Sequence, residues 1–288
     1  MHPMAPAVFT LRPAIEEDRS RLANLLHFEP HVHRHLDWRR PLEWLGQSPF
    51  FVLEDSGRLL AALACPQDPP GLAWLRLFAV VTRIEIQQAW DALWPQAQAQ
   101  LAAGGAQLAA AIPLNEWFVA PLRSSGFVHA QNVVVLDWPV SATILDAPRH
   151  AAIRRMRAED LSAVYSVDKA AFAPLWQNPL GALEHAFQQA GFATVLEQDG
   201  EIVAYQISTH SAQGLHLARL ATHPAQQGRG LALALTTHLQ QYAHARQEAR
   251  LTVNTQDTNQ PSLALYQKLG FRLTQETFPV YQLEIAAD

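Results

Sequence analysis

Gln227-Gly228-Arg229-Gly230-Leu231-Ala232 lies between an apolar run, Leu215 to Thr222, and a helical run that opens near Leu231. Two glycines let a backbone approach a bound group without a Cβ in the way. The amides that follow open a helix, whose N-terminus offers unpaired N–H donors and the positive end of its dipole. A strand, a short glycine turn and a helix in that order form an anion cradle suited to a phosphate or pyrophosphate. Two familiar cradles are excluded by the residues themselves. A P-loop needs a longer loop that ends in Lys-Ser or Lys-Thr, and neither follows Gly230. The dinucleotide fingerprint needs a small residue where Leu233 stands.

Downstream, Leu251-Thr252-Val253-Asn254 reads as a strand, rich in β-branched residues. Asn259 then opens a short helical segment that runs through Ser262 and Tyr266 to Gly270-Phe271. Ser262 and Tyr266 are four apart and share one helix face, and Gly270 is placed to stop the helix. Together the two segments resemble the GCN5-related N-acetyltransferase (GNAT) superfamily. Its pyrophosphate loop reads Arg/Gln-x-x-Gly-x-Gly/Ala, met here by Gln227, Gly230 and Ala232, with His223-Pro224 just before. Its later motif has an Asn that starts a short helix, a Tyr near the helix end, and a Gly-Phe return to a strand.

The chain also repeats itself. Leu11 to Asp18 parallels Ile153 to Asp160 at an offset of 142 residues, Val52 to Leu59 parallels Val195 to Ile202 at 143, and Asn115 to Phe127 parallels Asn259 to Phe271 at 144. A near-constant offset across separated segments predicts two copies of one fold. The expected class is α/β (α+β): two tandem GNAT folds, each a mixed, mostly antiparallel central sheet flanked by helices. The expected domains are 1–142, degenerate, and 150–288, catalytic, with a linker near Val140 to His150. Hairpins are predicted at Ser56-Gly57 and Asp199-Gly200. Leu231, Leu235, Leu239 and Tyr242 have the spacing of one buried helix face.

The copies differ where chemistry would occur. After Leu75 to Ala79 the first copy continues Val80-Val81-Thr82-Arg83-Ile84-Glu85-Ile86-Gln87, with no glycine and with an acidic residue that repels phosphate. Its counterpart of Tyr266 is Leu122, which donates no proton. One cofactor site per chain, in the C-terminal copy, is expected.

The resemblance implies acetyl transfer from acetyl-CoA to an amine by direct attack, with no metal. The backbone of Leu220, Ala221 and Thr222 would pair with the pantetheine arm, and Gln227, Gly228, Arg229, Gly230, Leu231 and Ala232 would hold the pyrophosphate. Arg229 would add a charged contact or face solvent, and Asn259 and Ser262 would stand near the pantetheine or phosphate arm. Tyr266 is the candidate general acid, because a phenol with a pKa near ~10 is protonated at neutral pH; the alternative is a packed tyrosine. His216, near the position where histone-acetylating relatives carry a glutamate, is the candidate base, with ordered water as the alternative. Trp176 and Tyr281 are candidate acceptor contacts. The acceptor is read as a small-molecule amine. A non-catalytic acyl-CoA sensor and a protein N-terminal acetyltransferase are the competing readings.

Bulk properties agree. Hydrophobic residues make up 49% and charged ones 16% of 288 residues, which describes a globular chain. The formal charge of −5 gives no electrostatic reason to bind nucleic acid or an anionic membrane. The single cysteine, Cys65, allows no internal disulfide and suits the cytoplasm. No signal peptide is read at the N-terminus, and no apolar run approaches the ~18 residues of a membrane span. His27, His31, His33 and His35 lack the spacing of a standard zinc site and are read as solvated or interface residues, and Cys65 as a buried thiol. Self-association is left open.

Overall fold

The computed structural model describes residues 9–145, 152–211 and 213–286, so 146–150 of the expected linker lie outside the described residues. The chain divides into two compact units. Unit 1 runs to Ala130 and resumes at Pro279; unit 2 is the continuous span Gln131 to Phe278.

Unit 1 contains β1 (Thr10–Pro13), α1 (Arg19–Phe28), β2 (His31–Arg34), β3 (Phe50–Asp55), β4 (Arg58–Ala64), β5 (Leu72–Trp74), β6 (Leu77–Val80), α2 (Ile86–Ala103), β7 (Leu108–Ala111) and α3 (Val119–Ser124). Its antiparallel sheet has the order β1-β3-β4-β6-β2. Alternation along the strands gives that sheet two apolar faces. One takes Leu22 and Leu25 of α1 against Val52, Ala62 and Leu77. The other takes Trp90, Leu93, Trp94, Ala97 and Leu101 of α2 against Leu63 and Phe78. Trp90 and Trp94 lie one helical turn apart and stack with centroids 5.2 Å apart.

Unit 2 takes in most of β8 (Val128–Trp138), followed by β9 (Ile153–Arg155), α4 (Leu161–Ala171), α5 (Leu180–Gln188), β10 (Phe192–Gln198), β11 (Glu201–Ser211), β12 (Gly214–Thr222), α6 (Leu231–Ala245), β13 (Leu251–Gln256), α7 (Gln260–Lys268) and the first part of β14 (Arg272–Glu284). The strand order is β14-β8-β13-β12-β11-β10-β9. The β12–β13 pair is parallel, as a helical crossover through α6 requires. Leu231 and Leu235 of α6 bury against Leu196 and Ala204, and Leu239 against Leu215 and Leu217. Tyr205 and Arg219 face the other way, onto α4.

The repeat is visible in atoms. Arg12 forks onto Asp18 at 2.7 and 2.8 Å and also binds Glu54; Arg154 forks onto Asp160 at 2.7 and 2.8 Å and also binds Glu197. Both predicted hairpins form, each with two central residues at positive φ.

The compact units nevertheless differ from the continuous spans read from the repeat. β8, from the first copy, pairs antiparallel with β13 from Leu251↔Trp138 to Gln256↔Val133, in unit 2. The end of β14 pairs with β7 from Tyr281↔Ala111 to Glu284↔Leu108, in unit 1. The copies have exchanged closing strands. β7 and β13 are equivalent in the repeat and offer similar edges, so sequence similarity does not say which strand each will take.

Candidate functional site

In unit 2, β12 pairs with β13 only from Leu215↔Leu251 to Leu217↔Val253. β13 continues along β8 to Gln256, while β12 continues along β11 to Thr222. Past Leu217, therefore, the side of β12 that faced β13 carries no strand among the described residues. A bulge sits at this divergence: Ser208 pairs with Leu217 and Ile207 with Arg219, leaving Ala218 as the extra residue. The backbone of Leu220, Ala221 and Thr222 lies on the open stretch.

The glycine loop follows directly. Gly228 and Gly230 have φ of +77° and +78°, and a Cβ at either would meet nothing within 4 Å. The backbone conformation, rather than crowding by the protein, is what calls for glycine. Gly230 caps α6 without a side-chain hydrogen bond. Among the described residues, no carbonyl or side chain accepts from the amides of Gly228 to Ala232. Several N–H groups at the start of a 15-residue helix are thus left for an anion. Gln227, itself exposed, folds back along the loop, its Nε2 donating to the Thr222 carbonyl at 3.2 Å, which ties the loop to the strand end. Arg229 is exposed.

Asn259 caps α7, accepting from the Ser262 amide at 3.3 Å. This fixes the first turn of the helix and places Tyr266 on its inner face. Tyr266 is 4% exposed and packs on Phe271 at 5.6 Å in the cluster that holds Leu215 and Leu217. Burial pushes its phenol well above the ordinary value, so it stays protonated at neutral pH. His216 lies between Leu215 and Leu217 and points to the opposite face of the sheet. Its Nδ1 is 2.8 Å from the Thr252 hydroxyl. Burial lowers its pKa, opposed by a hydrogen bond with Asn254 and assisted by Arg250. The structure therefore puts the candidate acid and base on two faces of β12.

The other two candidates separate. Trp176 ends the 3-10 turn Pro174–Trp176 between α4 and α5, in unit 2. Tyr281 lies in unit 1, 3% exposed, where Arg123 donates to its hydroxyl at 2.9 and 3.2 Å. The exchange of strands carries it there, so the acceptor role read for Tyr281 on the second copy is not carried forward.

Sequence reasoning missed a buried polar network beside β12. Arg219 donates to both oxygens of Asp168, from Nε at 2.7 Å and from Nη2 at 2.8 Å, and Tyr205 donates to the same carboxylate. The available signal was a lone arginine in an apolar strand, which has to find a partner when buried.

Unit 1 shows what became of the equivalent region. Counted from the two hairpins, Ala61 matches Ala204, and the register Ala61↔Val80 to Ala64↔Leu77 matches Ala204↔Thr222 to Ile207↔Arg219. β6 is thus the counterpart of Arg219 to Thr222. Its other side, open in unit 2, is filled by β2 through His31↔Val80 to Arg34↔Leu77. The chain has laid its own strand along that edge. His33 in that strand is 2% exposed and bonds to the Leu75 carbonyl at 3.0 Å, and burial lowers its pKa to about 4. His33 is thus a buried core residue, where the sequence suggested a solvated or interface one. Cys65, 0% exposed, is the buried thiol expected, with its pKa pushed up to about 12.

Residues 153–271 match the family model described as Acetyltransferase (GNAT) family. The chain is similar to the [ribosomal protein bS18]-alanine N-acetyltransferase of Escherichia coli strain K12, 29% identical over 119 residues, which is 41% of this chain and 79% of that protein. Among solved structures, it is similar to a tandem GNAT protein from the clavulanic acid biosynthesis pathway, with a TM-score of 0.65 at 13% identity over 98% of this chain and 100% of that one. A GCN5-related N-acetyltransferase from Kribbella flavida gives a TM-score of 0.70 at 14% identity over 96% of this chain and 71% of that one. At these identities the structural likeness establishes the fold.

Proposed function

Residues 153–271 belong to the acetyltransferase (GNAT) family, and on that premise we propose that unit 2 transfers an acetyl group from acetyl-CoA to the primary amine of a small molecule. The juxtaposition of the open β12 edge with the unpaired amides of Gly228 to Ala232 carries this reading. The edge offers an extended ligand arm strand-like hydrogen bonds, and the helix start offers its phosphates a positive terminus.

Acetyl-CoA supplies the acyl thioester. The amine nitrogen forms a bond to the acyl carbon as the carbon–sulfur bond breaks, so one proton leaves nitrogen and one reaches sulfur. We assign the first to His216, kept neutral by burial, and the second to Tyr266, kept protonated by burial. As these residues lie on two faces of β12, the two transfers would be made from opposite sides of the point where β12 parts from β13. Solvent closes the count by taking the proton from the His216 imidazolium and returning one to the phenolate. Asn259 and Ser262 support the donor arm, and Trp176 walls the acceptor side.

A second reading, in which the acceptor is a protein N-terminus, is favoured by the E. coli relative, whose name specifies an alanine of a ribosomal protein. Titration calorimetry with acetyl-CoA, followed by thiol release with ethanolamine, spermidine and an alanine-starting hexapeptide, tests both. Turnover of a small amine supports the first reading, and turnover of the hexapeptide alone supports the second. Tight binding with no turnover marks an acyl-CoA sensor, and no binding overturns the proposal.

A further inference from the structure

Building on the acetyltransferase reading, we infer that Arg219 is the positioning residue that locks Phe172 to Pro179, the segment that carries the acceptor-side Trp176, against the donor-binding strand.

Arg219 stands immediately after the bulge, and the extra residue Ala218 turns it to the α4 face. From there one side chain reaches the segment at several points. Its fork closes on Asp168, near the end of α4. Nη2 also donates to the Trp176 carbonyl at 2.6 Å, and the guanidinium lies 3.5 Å from the centre of the Phe172 ring. Asp168 in turn accepts from the Asn178 amide at 2.9 Å. The next three residues of the strand, Leu220 to Thr222, are those proposed to hold the donor arm. Donor edge and acceptor segment therefore share one anchor.

The network is saturated and deeply buried. Asp168 is 0% exposed, and each carboxylate oxygen has two donors: Nη2 and Asn178 N for one, Nε and the Tyr205 hydroxyl for the other. A buried ion pair of this kind adds little stability over a well-packed apolar pair, whereas its fork fixes distance and angle. Fixed geometry is what a direct-attack reaction needs, since a displacement of about 1 Å can cost on the order of 10²-fold in rate.

Arg219→Lys keeps the charge and removes the fork. Initial rates with ethanolamine and the alanine-starting hexapeptide should show an acceptor KM raised about tenfold, with the acetyl-CoA Kd within about twofold of the parent. Amide hydrogen exchange in 172–179 should quicken, while exchange in 227–232 stays as it was. An unchanged acceptor KM with unchanged exchange in 172–179, or an acetyl-CoA Kd that weakens in step with the acceptor KM, overturns the inference. If Arg219→Lys does not fold, Tyr205→Phe removes a single hydrogen bond from Asp168 and should move the same readouts in the same direction. Absence of acetyl-CoA binding by the parent would sink the acetyltransferase reading, while faster exchange in 172–179 would still register the anchor.

Discussion

Tyr266 and His216 owe their proposed roles to the same cause, burial, acting with opposite sign. Removal from water disfavours the charged form, which raises a phenol and lowers an imidazole. Replacing Tyr266 by Phe keeps the ring packed on Phe271 and removes only the hydroxyl that carries the proton. The expected result is a kcat lower by about 10²-fold or more with the acetyl-CoA Kd unchanged, read by stopped-time thiol release and calorimetry. For His216 the working form is neutral imidazole, and activity falls as pH drops through its pKa. Because that pKa lies below the ordinary 6.5, the acid limb of kcat/KM should fall below pH 6.5. In His216→Gln that limb should vanish along with most of the activity. A parent limb centred above pH 6.5 would remove His216 from the role.

At the scale of elements, one open strand edge and one loop form the donor site. Gly230 holds a left-handed φ of +78° at the start of α6. A β-branched residue there costs about 2 kcal/mol and pulls the amides out of line. Gly230→Val should weaken acetyl-CoA binding by tenfold or more in calorimetry. Gly200→Ala, at φ +81° in the β10–β11 hairpin, makes a control that costs stability and leaves affinity alone. In unit 1, β2 occupies the matching edge, so calorimetry on the intact chain should give one acetyl-CoA per chain, and that single site should be the one weakened in Gly230→Val. A second equivalent of binding would show that β2 yields.

For the whole molecule, the exchange of closing strands sets where the chain can be cut. A fragment of residues 150–288 lacks β8, and with it Leu136 and Trp138, both 0% exposed, and the partner for six residues of β13. Losing a buried tryptophan alone costs about 3–5 kcal/mol, a large share of a domain's stability. That fragment should be aggregated or molten by near-UV circular dichroism. Residues 131–278, the continuous unit, should fold and bind acetyl-CoA. Equal folding of both would mean that β8 is dispensable.

Local order made the loop, the hairpins, the helix α7 with its Asn259 cap, and the repeat itself readable. The loop, hairpins and helix each rest on residues within a few positions of one another, where backbone sterics and helix geometry leave little choice, and the repeat is the recurrence of such short marks 142 to 144 residues apart. The doubling of the fold and the loss of the glycine loop in the first copy followed from the same short-range marks. Tertiary structure alone decided the rest: the pairing of Arg219 with Asp168, the β2 strand laid along β6, and the transfer of Tyr281 and β8 to opposite units. Those outcomes depend on which of several similar partners, far apart in the chain, comes to lie alongside. Strand edges carry almost the same hydrogen-bonding groups whatever their sequence, so only the packed structure makes that choice.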